Sequence, residues 1–234
     1  MKISAAQGDI LDSLSIVNRG LSSRSTLPIL SSVLLSADGD TIILQSTDLE
    51  VSVRHSMKAR VDEAGQAVIP GKLLGDIVRS LPEAAVTIEA TSKDVATIVC
   101  EHASFTVKTL HAEDFPRFPE IDPEQTAELP ADLFSSAVKQ VARAASRDET
   151  RPVLTGVLIA VETGTLKMVA TDSYRLAVTE VGLGVPTDEF QVVVPGKAVD
   201  EVPKMVGSAE TLRMGISENQ VVFEMGPRRT SPGG

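Results

Sequence analysis

Two aspartates stand in matching surroundings, Asp48 within Ser46-Thr-Asp-Leu and Asp172 within Ala170-Thr-Asp-Ser. A pair of carboxylates sharing one site is what acid–base hydrolysis uses when the environment drives their two pKa values apart. That defines one enzymatic reading, a two-lobed Asp-dependent hydrolase using Asp48 and Asp172. Neither aspartate is followed by glycine, so the tight loop of such a dyad is missing. A Thr-Asp pair also caps turns between strands, through side-chain bonds to backbone amides. The turn cap is the expectation, and no catalytic residue is assigned. Pro70-Gly71-Lys72 and Pro195-Gly196-Lys197 lack the other glycines and the Ser or Thr of a phosphate loop. Neither a Gly-x-Ser-x-Gly elbow nor an HExxH occurs. His55, His102 and His111 never approach ligand spacing, and Cys100 is a lone cysteine. No disulfide framework, metal site or cofactor is expected, and Cys100 reads as a small buried hydrophobe.

Binding chemistry is better represented. Acids outnumber bases 32 to 22, giving a formal net charge of -10 and a pI of about 4.8. A uniformly basic coat for nucleic acid is excluded, but a local basic surface is not. Lys139 and Arg143 lie four residues apart on a helix expected over residues 131–146, and Arg147 continues the line. Two basic pairs, Lys72/Arg79 and Lys197/Lys204, recur at a seven-residue interval. Arg24 follows the first helix, and Arg147 and Arg151 lie in the matching later loop. Such faces suit a phosphate backbone, although solvated helices carry Lys and Arg anyway, and the pattern leaves both readings open. Pro203 is expected to interrupt the last helix. After the second Thr-Asp comes Ser173-Tyr174-Arg175-Leu176, where the first has Leu49-Glu50-Val51-Ser52. Tyr, Arg and Leu can form a peptide pocket with apolar walls and a donor at the rim, Leu154 joining it if its strand packs alongside; an ordinary strand is the alternative.

The elements that hold these residues are repeated. Residues 28–53 align without gaps on residues 152–177, with Pro28/Pro152, Leu30/Leu154, Val33/Val157, Leu34/Leu158, Thr41/Thr165, Thr47/Thr171 and Asp48/Asp172 identical. Two copies of one domain follow. Each begins with a helix, striped by Ile10, Leu14, Val17 and Leu21 in the first copy and by Phe134, Val138, Val141 and Ala145 in the second. Short β-rich runs follow at 29–35, 41–45 and 50–56, then a helix with Leu74, Ile77, Val78 and Leu81 inward, then strands at 85–90, 95–100 and 104–109. Antiparallel steps with few helices indicate an α+β fold. The domains are expected at residues 1–119 and 131–234, with a Pro-rich acidic linker over 120–130. The second copy reads as incomplete at its C-terminus, because the partners of residues 105–115 would begin near Arg229. The composition, 42% hydrophobic and 23% charged, supplies real cores. No signal peptide is visible and no apolar run reaches the ~18 residues of a membrane span, so the chain reads as soluble and intracellular.

The segments Arg24-Ser-Thr-Leu-Pro-Ile-Leu, Ser46-Thr-Asp-Leu-Glu, Val68-Ile-Pro-Gly-Lys, Thr109-Leu-His-Ala-Glu-Asp-Phe-Pro and Val169-Ala-Thr-Asp-Ser-Tyr-Arg-Leu-Ala, in that order, resemble the bacterial DNA polymerase III β subunit, the sliding-clamp family. The resemblance runs from Met1 to about Arg229. It implies tandem clamp domains, with antiparallel sheets outside and two helices per domain lining a DNA-facing hole. It implies a non-catalytic processivity factor in DNA replication that encircles duplex DNA without sequence preference, in the nucleoid-associated cytoplasm. Arg24, Lys72, Arg79, Lys139, Arg143, Arg147, Lys197 and Lys204 would then face DNA. Leu154, Thr171, Ser173, Tyr174, Arg175 and Leu176 would receive short peptides from the replicative polymerase, the clamp loader and repair proteins. Family rings are homo-oligomers of three-domain subunits closing near Phe105. The third domain is absent here, so the chain reads as a truncated clamp with half the pocket wall missing.

Overall fold

The computed structural model describes residues 1–22, 25–91, 94–118, 122–184, 187–217 and 219–226. Its internal contacts divide the chain into two units, Met1–Pro119 and Glu120–Gly234.

Unit 1 runs β1 (Lys2–Ala6), α1 (Gln7–Val17), β2 (Ser32–Asp38), β3 (Thr41–Thr47), β4 (Ser52–Lys58), β5 (Arg60–Glu63), β6 (Gly65–Pro70), α2 (Gly71–Ser80), β7 (Ala85–Thr91), β8 (Val95–Cys100) and β9 (Ala103–Lys108). Two antiparallel sheets form, ordered β5-β1-β7-β8-β9 and β4-β3-β2-β6. The two helices pack against each other, and α1 also lies on β3 and β4. Its stripe of Ile10, Leu14 and Val17 is buried, as are Leu74, Ile77 and Val78 of α2. Each such burial stabilises by about 1.5–3 kcal/mol relative to exposure. α1 stops short of Leu21 because the buried Ser46 hydroxyl donates to the Val17 carbonyl, satisfying an end group of the helix, and the chain tightens into a 3₁₀ turn at Asn18–Gly20. The first β-rich run also starts later than expected, since Pro28–Ser31 is a 3₁₀ turn before β2.

Unit 2 repeats the order with β10 (Gln125–Pro130), α3 (Ala131–Val141), β11 (Gly156–Glu162), β12 (Thr165–Thr171), β13 (Leu176–Gly182), β14 (Phe190–Pro195), α4 (Gly196–Met205), β15 (Thr211–Ser217) and β16 (Gln220–Gly226). Its sheets are β13-β12-β11-β14 and β10-β15-β16, again antiparallel. Phe134, Val138 and Val141 of α3 pack with Val157, Ile159, Leu166, Met168, Leu212 and Met214 in one core. The β11–β12 hairpin turns on Thr163 and Gly164, both with positive φ (48° and 72°), as a two-residue type I′ turn requires.

Three expectations need correction. The expected linker over 120–130 contains β10, whose residues pair with β15 from Gln125↔Ile216 to Pro130↔Thr211. Its buried Ala127 and Leu129 alternate with exposed Glu128. The helix expected to reach residue 146 ends at Val141, followed by a 3₁₀ turn at Ala142–Ala144. α4 continues through Pro203 to Met205, because a proline that late in the helix removes a single backbone bond. The counterpart of β9 would fall within residues 227–234, which lie outside the described residues. On β16, Val221, Phe223 and Met225 are half-buried, whereas Ala96, Ile98 and Cys100 of β8 are buried.

Candidate nucleic-acid and peptide interfaces

The two Thr-Asp pairs build the same turn. In unit 1 the Asp48 Oδ1 accepts from the backbone N–H groups of Glu50 (3.1 Å) and Val51 (2.8 Å). In unit 2 the Asp172 Oδ1 accepts from Tyr174 and Arg175, both at 3.0 Å. The preceding threonine hydroxyl accepts from the next amide but one, Leu49 N–H at 3.0 Å and Ser173 N–H at 3.2 Å. Leu49 and Ser173 both sit at φ 77°, in the left-handed region. The tight loop thus exists without glycine, held by side-chain caps. The amides of Tyr174 and Arg175, with the Arg175 guanidinium, hold the Asp172 carboxyl below the usual carboxylate range. A general acid needs the opposite shift. The hydrolase reading is therefore overturned: these carboxylates are acceptors that close turns.

The repeated Pro-Gly-Lys is also explained by packing. In both units the proline ends a strand and the glycine opens the helix. A Cβ at Gly71 would lie 2.6 Å from Leu21 Cδ1 and 2.9 Å from Val33 Cγ2, and one at Gly196 would lie 2.9 Å from the Thr155 carbonyl oxygen. The helix mouth is filled by protein, and the following lysine, Lys72 or Lys197, is left exposed on the first turn.

The remaining basic residues are less uniform than their spacing implies. Arg79 pairs with Asp76 at 2.9 Å. Lys204 is held at 2.8 Å by both Asp200 and Glu201, which raise its pKa. Exposed pairs of this kind are worth about 0–1 kcal/mol, so a phosphate can displace them. Lys139 is exposed in the last turn of α3, Arg143 lies in the 3₁₀ turn after it and Arg147 in the loop beyond, so they do not share one continuous helix. Arg24 lies outside the described residues. Sequence reasoning missed that α1 exposes Asp9 and Asp12, and that its last turn carries no base. The signal was present, since both fall off the Ile10/Leu14/Val17 stripe.

The proposed peptide residues converge on one end of the β11–β12–β13 sheet. The turn 171–176 is tied to the loop after α3 by Arg175, whose Nη2 donates to the Arg143 carbonyl at 2.6 Å while Nε donates to Asp172 at 3.0 Å. Arg151 Nη1 reaches the Ser173 hydroxyl at 3.4 Å, and Asp148 holds the Arg151 Nε at 2.9 Å. Thr171 donates to the Arg175 carbonyl at 2.8 Å. Tyr174 is 94% exposed and Leu176 66%, while Leu154 is half-buried. This is an open rim, with Val153, 80% exposed, as an apolar member that sequence reasoning missed. A separate concavity of about 390 Å³ lies at the other end of the β11–β12 hairpin, lined by Glu162, Thr163 and Phe190. Phe105 stands on β9, the last strand of its sheet, 38% exposed.

Among the described residues no cluster of His, Cys, Asp or Glu is arranged to hold a metal, and no helix is long and apolar enough to cross a membrane. Residues 1–119 match the model of the DNA polymerase III beta subunit, N-terminal domain, and residues 128–231 that of its central domain. The beta sliding clamp of Streptomyces coelicolor is 37% identical over 238 residues, covering 99% of this chain and 63% of that protein. That of Micrococcus luteus is 36% identical over 235 residues, covering 99% of this chain and 75% of its own. The crystal structure of the DNA polymerase sliding clamp from Bacillus subtilis superposes with a TM-score of 0.90 at 30% identity, covering 96% of this chain and 62% of that one. The chain thus spans 64% and 63% of the length of the Synechocystis and Streptomyces clamps. With both domain models matched in order over most of its length, the chain belongs to the family of bacterial DNA polymerase III β subunits, the β sliding clamps.

Proposed function

We propose that this chain acts as a processivity factor of sliding-clamp type, holding the replicative polymerase on duplex DNA without chemistry of its own. The observation that carries the reading is the exposed lysine opening the second helix of each unit, Lys72 and Lys197, within two domains of clamp fold. Arg24, Arg79, Lys139, Arg143, Arg147 and Lys204 extend that phosphate-binding set, with Arg79 and Lys204 exchanging their own carboxylates for phosphates. Many weak backbone contacts retain a protein on DNA while letting it slide. The rim of Leu154, Thr171, Ser173, Tyr174, Arg175 and Leu176 receives short peptides of polymerases, the clamp loader and repair proteins. Phe105 on its edge strand serves subunit closure into a homo-oligomeric ring, which works beside the nucleoid in the cytoplasm.

The test is solution mass by light scattering, with and without circular DNA, followed by linearisation. A discrete oligomer retained on circles and shed from linear DNA is the expected result for clamping. A chain that never stays on closed circles refutes clamping by these residues alone. Lys139→Ala with Arg143→Ala should reduce the slope of log K against log salt by roughly 0.9 for each phosphate left without its cation. An unchanged slope would remove both residues from the DNA surface.

A further inference from the structure

The two units close the exit of their first helix differently. α1 ends at Val17 and α3 at Val141, and each is followed by a 3₁₀ turn, Asn18–Gly20 or Ala142–Ala144, before the chain extends. The last carbonyls of a helix have no partner within it and must find one elsewhere. In unit 1 that partner is internal, the buried Ser46 hydroxyl on the Val17 carbonyl. Gly20 makes room for it, since a Cβ there would lie 2.5 Å from the Ser46 Oγ. At the repeat's offset of 124, Ser46 corresponds to Ala170 and Gly20 to Ala144, both buried. Methyl groups stand where unit 1 has the hydroxyl and the space for it, so unit 2 lacks this device.

In unit 2 the tie comes from the surface. Arg175 Nη2 donates to the Arg143 carbonyl at 2.6 Å, while its Nε is held by Asp172 Oδ2 at 3.0 Å. Asp172 is fixed in turn by the amides of Tyr174 and Arg175. The counterpart of Arg175 in unit 1 is Val51, whose side chain has no donor. The Arg175 side chain is 63% exposed, so water competes for its bonds as it cannot for those of Ser46. The bond to the Arg143 carbonyl holds the planar peptide that follows the Arg143 Cα. It therefore fixes the backbone angle from which the exposed Arg143 side chain leaves the turn.

We propose that Arg175 is a positioning residue for the DNA surface, acting through the Arg143 carbonyl to aim the Arg143 guanidinium at a phosphate. The proposal rests on the reading of Arg143 as a phosphate contact. Arg175 itself touches no phosphate: its Nε faces Asp172 and its Nη2 faces the turn. Lysine does not substitute for it, because an ammonium lacks the planar fork that meets the carboxylate and the carbonyl at once. Arg175 also belongs to the rim formed by the turn 171–176, so the two proposed surfaces share one side chain.

The experiment measures binding of the full chain to a mixed-sequence linear duplex by fluorescence anisotropy across a salt series. Arg143→Ala and Arg175→Lys should each lower the slope of log K against log salt by about 0.9, one phosphate contact, although Arg175→Lys keeps its charge. The double variant should lower it no further, since both changes remove the same contact. Arg175→Lys should also speed amide exchange at Ala145, whose N–H donates to the Ala142 carbonyl at the turn. Ala144→Gly with Ala170→Ser, which rebuilds the device of unit 1, should return slope and exchange to the parent values in the Arg175→Lys chain. An unchanged slope for Arg175→Lys beside a lowered one for Arg143→Ala would overturn the inference and leave the DNA reading standing. A double variant that loses twice as much would overturn it too, because Arg175 would then meet a phosphate of its own. A slope that Arg143→Ala leaves unchanged would refute the DNA reading at that residue, and the inference with it.

Discussion

Gly196→Ala should destabilise unit 2, although alanine is the better helix former. At the first residue of α4 the exchange gains up to about 1 kcal/mol in helix propensity. Against this, the new Cβ meets the Thr155 carbonyl oxygen at 2.9 Å and the Ala145 Cβ at 3.1 Å. Both belong to segments fixed by other bonds: Ala145 N–H donates to the Ala142 carbonyl at 3.2 Å, and the Thr155 hydroxyl to Pro152 at 2.7 Å. Overpacking against atoms that cannot step aside costs about 1–3 kcal/mol, which from the middle of that range leaves a net loss of about 1 kcal/mol. For a unit of this size that lowers Tm by about 4–8 °C. At Gly71 the two nearest atoms, Leu21 Cδ1 at 2.6 Å and Asn18 Oδ1 at 2.7 Å, are ends of side chains that can rotate, and the third, Val33 Cγ2 at 2.9 Å, is a side-chain methyl and not backbone, so Gly71→Ala should cost less. Calorimetric scans of the two variants check this order. A Gly196→Ala chain as stable as the parent, or a Gly71→Ala chain that loses more, would refute the view that close packing fixes the glycine of Pro-Gly-Lys.

Two further predictions concern the Thr-Asp turns. Asp172→Ala should speed amide exchange at Tyr174 and Arg175 and lower Tm, while Asp172→Asn, which keeps an acceptor at Oδ1, should restore most of both. Because the folded Asp172 carboxyl is held below its usual range, its contribution is fully present above the ordinary carboxylate pKa of about 3.9 and is lost as pH falls through the folded value. The gap in Tm between Asp172→Ala and the parent should narrow with acidification by the part that the charge carries, and a gap that does not change would mean that the neutral acceptor carries the whole stabilisation. Leu49→Gly and Ser173→Gly should each stabilise by about 0.5–1 kcal/mol in thermal unfolding, because a side chain at φ 77° costs roughly 1–2 kcal/mol, partly offset by glycine's freedom when unfolded.

What was legible in the chain was whatever repeats with a simple period. The stripes of Ile10/Leu14/Val17 and Phe134/Val138/Val141 gave both first helices, and Asp48 and Asp172 were correctly read as turn caps. The strands β1, β5 and β10 were missed for a common reason. Each is short and carries charge, and β10 sits in a stretch whose prolines and acids imitate a linker. Its pairing to β15 depends on a partner some 85 residues away, which no local pattern reports. The ion pairs on the basic faces were not read from spacing for a different reason. Spacing places Lys204 on a helix face, but the acids that neutralise it, Asp200 and Glu201, are set by three- and four-residue contacts on that same helix. The proposed peptide rim was half legible: Tyr174 to Leu176 stood out as a departure between copies, while Val153 and Arg151 join it only through the folded loop.

Comparison of the copies separates what the fold demands from what each surface does. Backbone devices are kept almost atom for atom: the Asp Oδ1 taking two amides, the left-handed residue after it, the glycine under a neighbouring loop at the mouth of the second helix. These fix where the chain turns. The side chains on the exposed faces obey no such constraint, and there the copies diverge. Arg54 and Gln45 of unit 1 face Val178 and Val169 at equivalent positions in unit 2. A polar pair beneath a segment of the same unit corresponds to an apolar pair in unit 2, of which Val178 is 50% exposed and Val169 half-buried. Drift at random on a solvated face would favour polar residues, since exposed valine gains nothing from water.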